Sequence, residues 1–242
     1  KRSGVRMRNG VTIIMPTYNE ANNVVRAAES AKSKCQRLPV PFELIIVNDG
    51  STDETARIVK LLARKHAYIR IIDDAVNRGF GYAFRRGLAV AAMPYVCVFP
   101  SDNEMSKESF GDLVAARHRA DFISTYMANP LMRTLERRII SHAFVTIANI
   151  LFHLNLRYYT GPFICKTPLA KRTRLISDGF TMPAELRIRL IGAGCSYREI
   201  PFMFSPRTHG RTSIFRIRTI YQTLKTLVVL LVDDFTGRLR HV

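Results

Sequence analysis

Hydrophobic and polar positions alternate in blocks through the first half of the chain. Five short, mostly apolar segments, typical of strands buried on both faces, lie at residues 11–15, 43–47, 68–72, 95–99 and 121–125. Longer segments with apolar residues at helical spacing separate them, at residues 21–34, 51–66, 79–92 and 106–119. Strands that alternate with helices in this way predict an α/β fold with a mostly parallel sheet and right-handed crossovers.

The second half of the chain breaks this alternation. One long helical pattern covers residues 131–156. Later elements are predicted as an extended stretch at 158–165, a helix at 182–191, a strand at 196–202 and a helix at 214–232. We expect a single α/β domain over residues 1–213, divided into halves at about 11–126 and 127–213. Residues 214–242 then form an amphipathic helix with a basic tail.

Polar side chains follow the first two strands at their carboxyl ends, where open α/β sheets bind ligands. The first segment, Pro16-Thr17-Tyr18-Asn19-Glu20, offers an aromatic ring, an amide and a carboxylate. The second is Asn48-Asp49-Gly50-Ser51. An ionised Asp49 only accepts hydrogen bonds, so it suits the ring N–H donors of uracil or guanine. The alternative is an Asx-turn that caps the next helix, where Ser51 and Glu54 also have the spacing of a capping box.

The loops after the third and fourth strands carry candidate anion and metal sites. Asn77-Arg78-Gly79-Phe80-Gly81 begins a helix, and glycines at a helix N-terminus favour the close approach of an anion. Asp102 and Glu104 are hard oxygen ligands two residues apart, so in an extended loop they face one side and suit Mg²⁺ or Mn²⁺. The alternative is that both are solvated acids beside the N-terminus of the following helix.

The charge balance of the chain favours anionic partners. Lysine and arginine number 37 against 19 acidic residues, which gives a net charge of +18. Nucleic acid, an anionic membrane and phosphorylated substrates are the classes that such a surplus attracts. The sequence contains no recognised nucleic-acid-binding motif, and its aromatic residues are not interleaved with the basic clusters. Both observations argue against a nucleic-acid-binding protein. We therefore expect no nucleic acid among the partners.

The four cysteines indicate a reducing compartment. Cys35, Cys97, Cys165 and Cys195 form no CxxC pair, which favours reduced thiols over a zinc site. The first ten residues contain no apolar signal core, and no run reaches the roughly 18–20 apolar residues of a bilayer span. We therefore expect a protein without a signal peptide or a transmembrane span.

The final predicted helix has the pattern of a helix that lies in a membrane surface. Apolar residues recur at helical spacing, as Ile214, Ile217, Ile220, Tyr221, Leu224, Leu227, Val228 and Leu231. Arg216, Arg218 and Lys225 lie among them and suit anionic lipid. The alternative is that this helix packs on the core, as most amphipathic helices do. We expect a peripheral or monotopic protein on the cytoplasmic face of a membrane.

Taken in order, these motifs resemble glycosyltransferase family 2, whose fold is GT-A. The first half carries Pro16–Glu20, Val47–Glu54, Asn77–Gly87 and the acidic loop after the fourth strand. In the second half, four segments resemble the dolichol-phosphate mannose synthase branch of that family. They are Leu135–Ser141, Tyr159–Phe163, Gly179–Leu186 and Arg207–Thr212. The resemblance covers about residues 11–213. It implies inverting, metal-dependent transfer of a hexose from a GDP- or UDP-sugar to a polyprenyl or dolichyl phosphate.

On the donor side, the resemblance assigns two groups of residues. The nucleotide sugar would be bound by Pro16, Tyr18, Glu20, Asp49, Asn77, Gly79 and Asp102. The metal would be held by Asp102 and Glu104, where the branch usually has glutamine at the second position.

On the acceptor side, the resemblance assigns the acceptor phosphate to Arg137, Ser141, Arg207 and Arg211. The candidate catalytic residues are Asp102, Arg137, Arg207 and Glu185. A base at Glu185 is essential only if the acceptor is a hydroxyl, because a phosphate is already anionic at neutral pH. The alternative for Glu185 is an ion pair with Arg187 or Arg189.

Three departures from the family pattern leave other functions open. Pro100 stands where the DxD motif has its first aspartate, and Thr125 stands where the fifth strand ends in arginine. The segment Thr160-Gly161-Pro162-Phe163 lacks the arginine of the common Ser-Gly-Phe-Arg stretch. The alternatives are a family 2 enzyme with a hydroxyl acceptor, or a catalytically inactive nucleotide-sugar binder.

Overall fold

A seven-stranded sheet organises the residues that the computed structural model describes, which are 9–101, 105–204 and 217–240. Its strands are β1 Val11–Thr17, β2 Phe42–Asp49, β3 Ile69–Asp74, β4 Tyr95–Val98, β5 Phe122–Met127, β6 Phe163–Lys166 and β7 Tyr197–Phe202. The strands lie in the order β3-β2-β1-β4-β6-β5-β7. Chain order and sheet order differ because the connections cross the sheet faces through helices, as predicted for an α/β fold.

The sheet is mostly parallel, which confirms the predicted fold class. Strand β1 pairs in parallel with β2 and β4, β2 pairs with β3, and β5 pairs with β7. Strand β6 runs antiparallel to both of its neighbours, β4 and β5. The periodicity could not reveal this reversal, because strand direction depends on where the connecting chain re-enters the sheet.

Eight α-helices lie among the described residues. They are α1 Val24–Arg37, α2 Thr55–Lys65, α3 Phe80–Val90, α4 Lys107–Ala116, α5 Leu135–Leu151, α6 Thr167–Arg172, α7 Met182–Gly192 and α8 Ile217–Phe235. Two 3₁₀ turns cover Pro130–Met132 and Arg238–Arg240. Helix α6, which has proline at its second position, was not predicted because its six residues are too short for a periodic signal.

The prediction of one helix over residues 131–156 is wrong at both ends. The start is a 3₁₀ turn, and Arg133 and Thr134 adopt extended backbone before α5 begins. At the other end, α5 stops at Leu151, and His153 has a positive φ of 52°. The Asn149 side chain donates to the Leu156 carbonyl (2.9 Å) and accepts from the Leu156 N–H (3.0 Å). The Asn149 side chain thus satisfies the backbone of Leu156 and holds the chain that leaves α5 against its last turn.

Helices cover both faces of the sheet. Neighbouring residues of one strand, such as Ile13 and Ile14, belong to different apolar clusters because successive side chains point to opposite faces. One cluster packs against α1, α2 and α4, and the other against α3, α6 and α7. A third cluster joins α5, α7 and α8 through residues that include Ala148, Ile188 and Leu230. Because the helices cover the two faces, a ligand-binding site is expected at the carboxyl ends of the central strands.

Candidate active site

The carboxyl ends of β1, β2 and β3 lie side by side at one edge of the sheet. Thr17 is in register with Asn48, and Asp49 is in register with Asp74. After β4, the Ser101 hydroxyl donates to the Pro16 carbonyl at 3.0 Å. The polar segments that the sequence placed after separate strands therefore meet in space.

Asp49 lies at the centre of this edge and is buried. Its Oδ1 accepts from the Arg78 N–H (2.9 Å), and its Oδ2 accepts from the Gly79 N–H (2.7 Å). Its carbonyl accepts from the Asn77 side chain at 3.1 Å. Burial raises the pKa of Asp49, and the two backbone hydrogen bonds oppose that rise. A carboxylate has about four acceptor positions, so two accepted bonds leave capacity for a ring N–H of a nucleobase.

The loop after β2 is also bound to the loops on either side of it. Gly50 has a φ of 65°, and a Cβ there would lie 2.4 Å from the Asn77 nitrogen, so only glycine fits. Asn19 donates from its backbone to Ser51 Oγ (3.0 Å), and its side chain accepts from the Thr52 N–H (2.8 Å). The first three strand-end loops thus form one hydrogen-bonded unit.

The predicted capping box of Ser51 and Glu54 is wrong. Helix α2 begins at Thr55, and Asp53 Oδ1 accepts from the Thr55 N–H at 3.0 Å. The Ser51 hydroxyl is used by the Asn19 loop instead. A contact between loops 32 residues apart in the chain displaced the local cap.

The remaining donor-side candidates lie in the loop after β1. Tyr18 is 43% exposed, which leaves its ring available for stacking. Glu20 is half-buried, where its carboxylate accepts from the Asn23 side chain at 2.7 Å and its N–H donates to Thr55 Oγ1 at 2.9 Å. Pro16, Tyr18, Glu20 and Asp49 are thus brought to adjacent loops of one edge.

The glycines at the start of α3 have a different purpose from the one predicted. The Gly81 and Tyr82 N–H groups donate to the Asp178 carbonyl, at 2.8 and 3.3 Å. A Cβ on Gly81 would lie 2.1 Å from the Ser177 carbonyl oxygen, and one on Gly79 would lie 2.4 Å from that of Asp178. The prediction of an anion at this helix N-terminus is therefore corrected, because a backbone carbonyl occupies it. The sequence could not show this, since residues 177 and 178 are distant in the chain.

Glu185 lies on α7, is fully buried and is saturated with hydrogen bonds. Its oxygens accept from the Ile176 and Ser177 N–H groups at 2.8–3.1 Å. Arg189 Nε donates to it at 2.9 Å, and Arg189 also pairs with Asp233 of α8 at 2.9 Å. This arrangement is the predicted ion-pair alternative with Arg189, and it contradicts a free catalytic base at Glu185. The carboxylate instead fixes the 176–177 segment that crosses the start of α3.

Arg187, two residues further along α7, was missed as a site residue. It is fully buried, where its guanidinium donates to Ser124 Oγ (2.8 Å) and to the carbonyls of Pro183, Gly161 and Pro162 (2.8–3.1 Å). Loss of hydration lowers its pKa to about 10. The sequence offered no signal for it, because Glu185, Arg187 and Arg189 alternate along α7 as charged residues do in an ordinary exposed helix. Its guanidinium supports the segment that lacks the expected arginine.

A cavity of about 100 Å³ lies beside that segment. It is lined by Pro100, Met105, Met127, Arg133, Tyr158, Thr160, Gly161, Pro162, Phe202 and Phe204. Pro100 follows β4, and Phe204 follows β7, so the cavity lies beyond the ends of these two strands. We call it the Arg133 cavity, after its charged residue.

The other acceptor-side candidates are placed only in part. Arg137 and Ser141 lie one turn apart on α5, so their side chains share a face of that helix, and both are half-buried. Asp102, Glu104, Arg207 and Arg211 lie outside the described residues. Within the described ranges, no group of three or more His, Cys, Asp or Glu residues could hold a metal.

The sheet order, the strand-end loops and the flanking helices define the GT-A fold, which confirms the predicted architecture. The model of the family "Glycosyl transferase family 2" matches residues 12–175. The chain belongs to that family, and the prediction of a glycosyltransferase is confirmed.

Two curated relatives, each matched over part of its length, are similar to this chain. The uncharacterized glycosyltransferase YibD of Escherichia coli is 33% identical over 97 residues, which is 40% of this chain and 27% of YibD. The dolichyl-phosphate beta-glucosyltransferase ALG5C of Trichomonas vaginalis is 29% identical over 107 residues, or 42% of this chain and 32% of the relative. Each match thus spans about a third or less of the relative's length.

Glucosyl-3-phosphoglycerate synthase from Mycobacterium tuberculosis has a similar structure. In complex with phosphoglyceric acid it superposes with a TM-score of 0.72 at 15% identity, covering 95% of this chain and 84% of the other. A further crystal structure of that enzyme holds Mn²⁺, UDP-glucose and phosphoglyceric acid, and superposes with a TM-score of 0.70 at 16% identity. At this identity the likeness establishes the fold.

Proposed function

We propose that this protein transfers a hexose from a nucleotide sugar to a polyprenyl phosphate at a membrane surface. The observation that carries the proposal is the contact between two regions. The Ser101 hydroxyl donates to the Pro16 carbonyl, in the loop that adjoins the loops around Asp49. Pro100, the residue before Ser101, lines the Arg133 cavity. A polar nucleoside edge thus adjoins a cationic, otherwise uncharged cavity.

Uracil or guanine is the base class that Asp49 suits, because the carboxylate accepts the ring N–H donors of these bases. Tyr18 and Glu20 lie on the adjacent loop, where a nucleoside would contact both. The UDP-glucose complex of the structural relative supports UDP as the first nucleotide to test.

Asp102 and Glu104 would hold Mg²⁺ or Mn²⁺, since carboxylate oxygens are the ligands these ions prefer. When bound, the ion offsets negative charge on the leaving diphosphate. The crystal structures of the relative with Mg²⁺ or Mn²⁺ and UDP support this assignment. Pro100 removes one acid of the usual motif, so this chain would rely on the remaining two.

The engaged state of Glu185 favours an anionic acceptor. A hydroxyl acceptor needs a base to take its proton, and the Glu185 carboxylate already accepts from two backbone groups and Arg189. A phosphate needs no base, but it must be brought against a negatively charged donor. Arg137, Ser141, Arg207 and Arg211 would position it by charge and hydrogen bonds, and direct displacement would invert the anomeric centre. The similarity to ALG5C supports a lipid phosphate.

Two helices present apolar side chains to solvent, which supports a membrane surface. The exposed residues are Leu135, Ile139, Ile140, Ile147 and Ile150 on α5, and Ile220, Tyr221, Leu224, Val228 and Val232 on α8. None of the helices in the described ranges is long and apolar enough to cross a bilayer. The inner faces of α5 and α8 pack in the third cluster. Each helix therefore packs on the core with one face and exposes apolar side chains on the other. The outer face of α8 also carries exposed Lys225, which suits an anionic lipid surface.

The test is transfer from radiolabelled UDP-glucose and GDP-mannose to polyprenyl phosphate in liposomes with Mn²⁺ or Mg²⁺. We expect the unmodified chain to form a labelled lipid-linked sugar, and the Asp102→Ala variant to form none. Asp112→Ala, at an exposed position of α4, is the matched control and should retain transfer. Nucleotide binding without any transfer would instead identify an inactive binder.

A further inference from the structure

We propose that Arg133 is a phosphate-binding residue and that the Arg133 cavity receives the phosphate monoester of the acceptor. This inference rests on the proposed function for the identity of the acceptor. It adds a residue that the family resemblance does not assign. The argument depends on how the guanidinium is held, on its missing partner, and on the place of the cavity.

Arg133 is held in position by neutral groups. It lies between the 3₁₀ turn and α5, where its N–H donates to the Pro130 carbonyl at 3.1 Å. Its Nη1 donates to the Tyr158 hydroxyl at 3.3 Å, and its Cζ lies 5.9 Å from the centre of the Phe204 ring. These contacts orient the guanidinium without neutralising its charge.

The guanidinium has hydrogen-bonding capacity to spare inside the protein. Its Nε is shielded from solvent and has no hydrogen-bond partner among the residues that the structure describes. Across the described residues, no ion pair involves Arg133. A shielded N–H group without an acceptor is unfavourable, because its lost hydration is not replaced. An anion with several acceptor oxygens would satisfy it, and a phosphate matches the planar fork of arginine.

The rest of the lining fits the phosphate end of a larger molecule. Tyr158 and Thr160 carry hydroxyl groups that would donate to phosphate oxygens, and apart from Arg133 the lining residues carry no charge. A water needs about 10–15 Å³ of such volume, so about 100 Å³ holds a group the size of a phosphate but not a lipid chain. The remainder of the acceptor must therefore extend out of the cavity.

The positive charge of the Arg133 cavity does not come from β5. Thr125 occupies the position where the family has arginine, and its hydroxyl donates to the Pro162 carbonyl at 2.7 Å. Met127, at the end of the same strand, lines the cavity with an uncharged side chain. Arg133 reaches the same cavity from the chain that follows β5.

Calorimetry with the full chain tests the inference, with UDP and Mn²⁺ at saturation so that the donor site is filled. The probes are inorganic phosphate, farnesyl phosphate and farnesol. The variants are Arg133→Gln, Arg133→Lys and the control Arg64→Gln, which changes an exposed arginine on α2. UDP affinity is measured for every variant as a report of folding and of the donor site.

We expect Arg133→Gln to weaken farnesyl phosphate binding about tenfold or more, the loss typical of a charged hydrogen bond. Arg133→Lys should fall between it and the unmodified chain, because it keeps the charge and loses the fork. Arg64→Gln should bind as the unmodified chain does, and UDP affinity should stay within about twofold throughout. Farnesol should bind far more weakly than farnesyl phosphate.

Equal farnesyl phosphate affinity in Arg133→Gln and the unmodified chain would overturn the inference. Equal affinity for farnesol and farnesyl phosphate would overturn it as well. If Arg133→Gln also loses UDP binding, Arg133→Lys decides, and an unchanged phosphate affinity in that variant contradicts the proposal. Arg133-dependent binding of inorganic phosphate with no gain from the farnesyl group would keep the phosphate site and remove the lipid. That result would contradict the lipid acceptor of the proposed function while the phosphate site at Arg133 stands, so the two claims fail on different outcomes.

Discussion

The two halves of the site are built in opposite ways. At the donor edge, polar side chains bind backbone groups of neighbouring loops, so Asp49, Asn19 and Gly50 join three strand ends into one unit. On the acceptor side, positive charge is placed within apolar surroundings. Arg187 donates to Ser124 and to carbonyls, whereas Arg133 Nε has no partner among the described residues. The first half is preorganised for a polar ligand, and the second retains unmatched charge for an anion.

The largest expected effect is at the donor edge. Asp49→Asn keeps the shape of the side chain but directs an amide NH₂ or a weaker acceptor at the Arg78 and Gly79 N–H groups. Loss of two charge-assisted hydrogen bonds should lower nucleotide affinity by about 100-fold or more. Titration calorimetry with UDP and GDP measures this, with Asp112→Asn as control. Unchanged affinity for both nucleotides would separate Asp49 from the nucleoside.

The second effect tests the acceptor side through Arg187. Arg187→Met keeps the apolar stem but leaves Ser124 and the Gly161 and Pro162 carbonyls without their donor. We expect a loss of about 2–4 kcal/mol in the free energy of unfolding, measured by urea denaturation. Arg174→Met, at an exposed position, should change it by less than about 0.5 kcal/mol. A loss no larger than in this control would show that the guanidinium does not support the segment.

A pair of glycines sharpens the corrected role of the α3 N-terminus. Gly81→Ala places a Cβ 2.1 Å from the Ser177 carbonyl oxygen, whereas Gly111→Ala meets nothing closer than 3.6 Å. We expect Gly81→Ala to destabilise the protein by about 2 kcal/mol. Gly111→Ala, inside α4, should stabilise it by about 0.5–1 kcal/mol. Thermal unfolding of both variants measures the difference, and a neutral Gly81→Ala would show that the 177–178 segment does not pack as described.

The smallest effect concerns Asp121, which directly precedes β5 and lies away from the carboxyl ends of the strands. Asp121 accepts from Lys166 at 2.6 Å and from the Ser196 N–H and hydroxyl at 3.0 and 2.6 Å. These bonds lower the pKa of Asp121 to about 2, from its usual value of 3.8. Since the folded-state pKa is depressed, the contribution is present above pH 3.8 and is lost as pH falls toward 2.

Asp121→Asn should therefore cost about 1 kcal/mol at pH 7 and flatten the acid side of the stability profile. Unfolding measured from pH 7 to pH 2 tests this. Parallel acid profiles in the variant and the unmodified chain would assign the acid sensitivity to other carboxylates.

The sequence predicted those features that depend on local pattern. Apolar blocks located β1 to β5, and their order placed Pro16, Tyr18, Glu20 and Asp49 at one edge. Contacts between distant segments were beyond its reach. The direction of β6, the occupied N-terminus of α3 and the use of Ser51 by Asn19 each depend on residues far apart in the chain. Buried charge was the least predictable, because Arg187 and Glu185 read as ordinary helix residues until their burial is known.

The most direct test of the account compares polyprenyl phosphate with the matching polyprenol as acceptor, at equal concentration in the same liposomes. The reaction contains labelled nucleotide sugar and Mn²⁺, and lipid-linked sugar is measured by mass spectrometry. An acceptor side built around unmatched arginine charge predicts transfer to the phosphate at least about 100-fold faster than to the alcohol. Equal or faster transfer to the polyprenol would contradict the account, because it would require a base that the buried, hydrogen-bonded Glu185 does not provide.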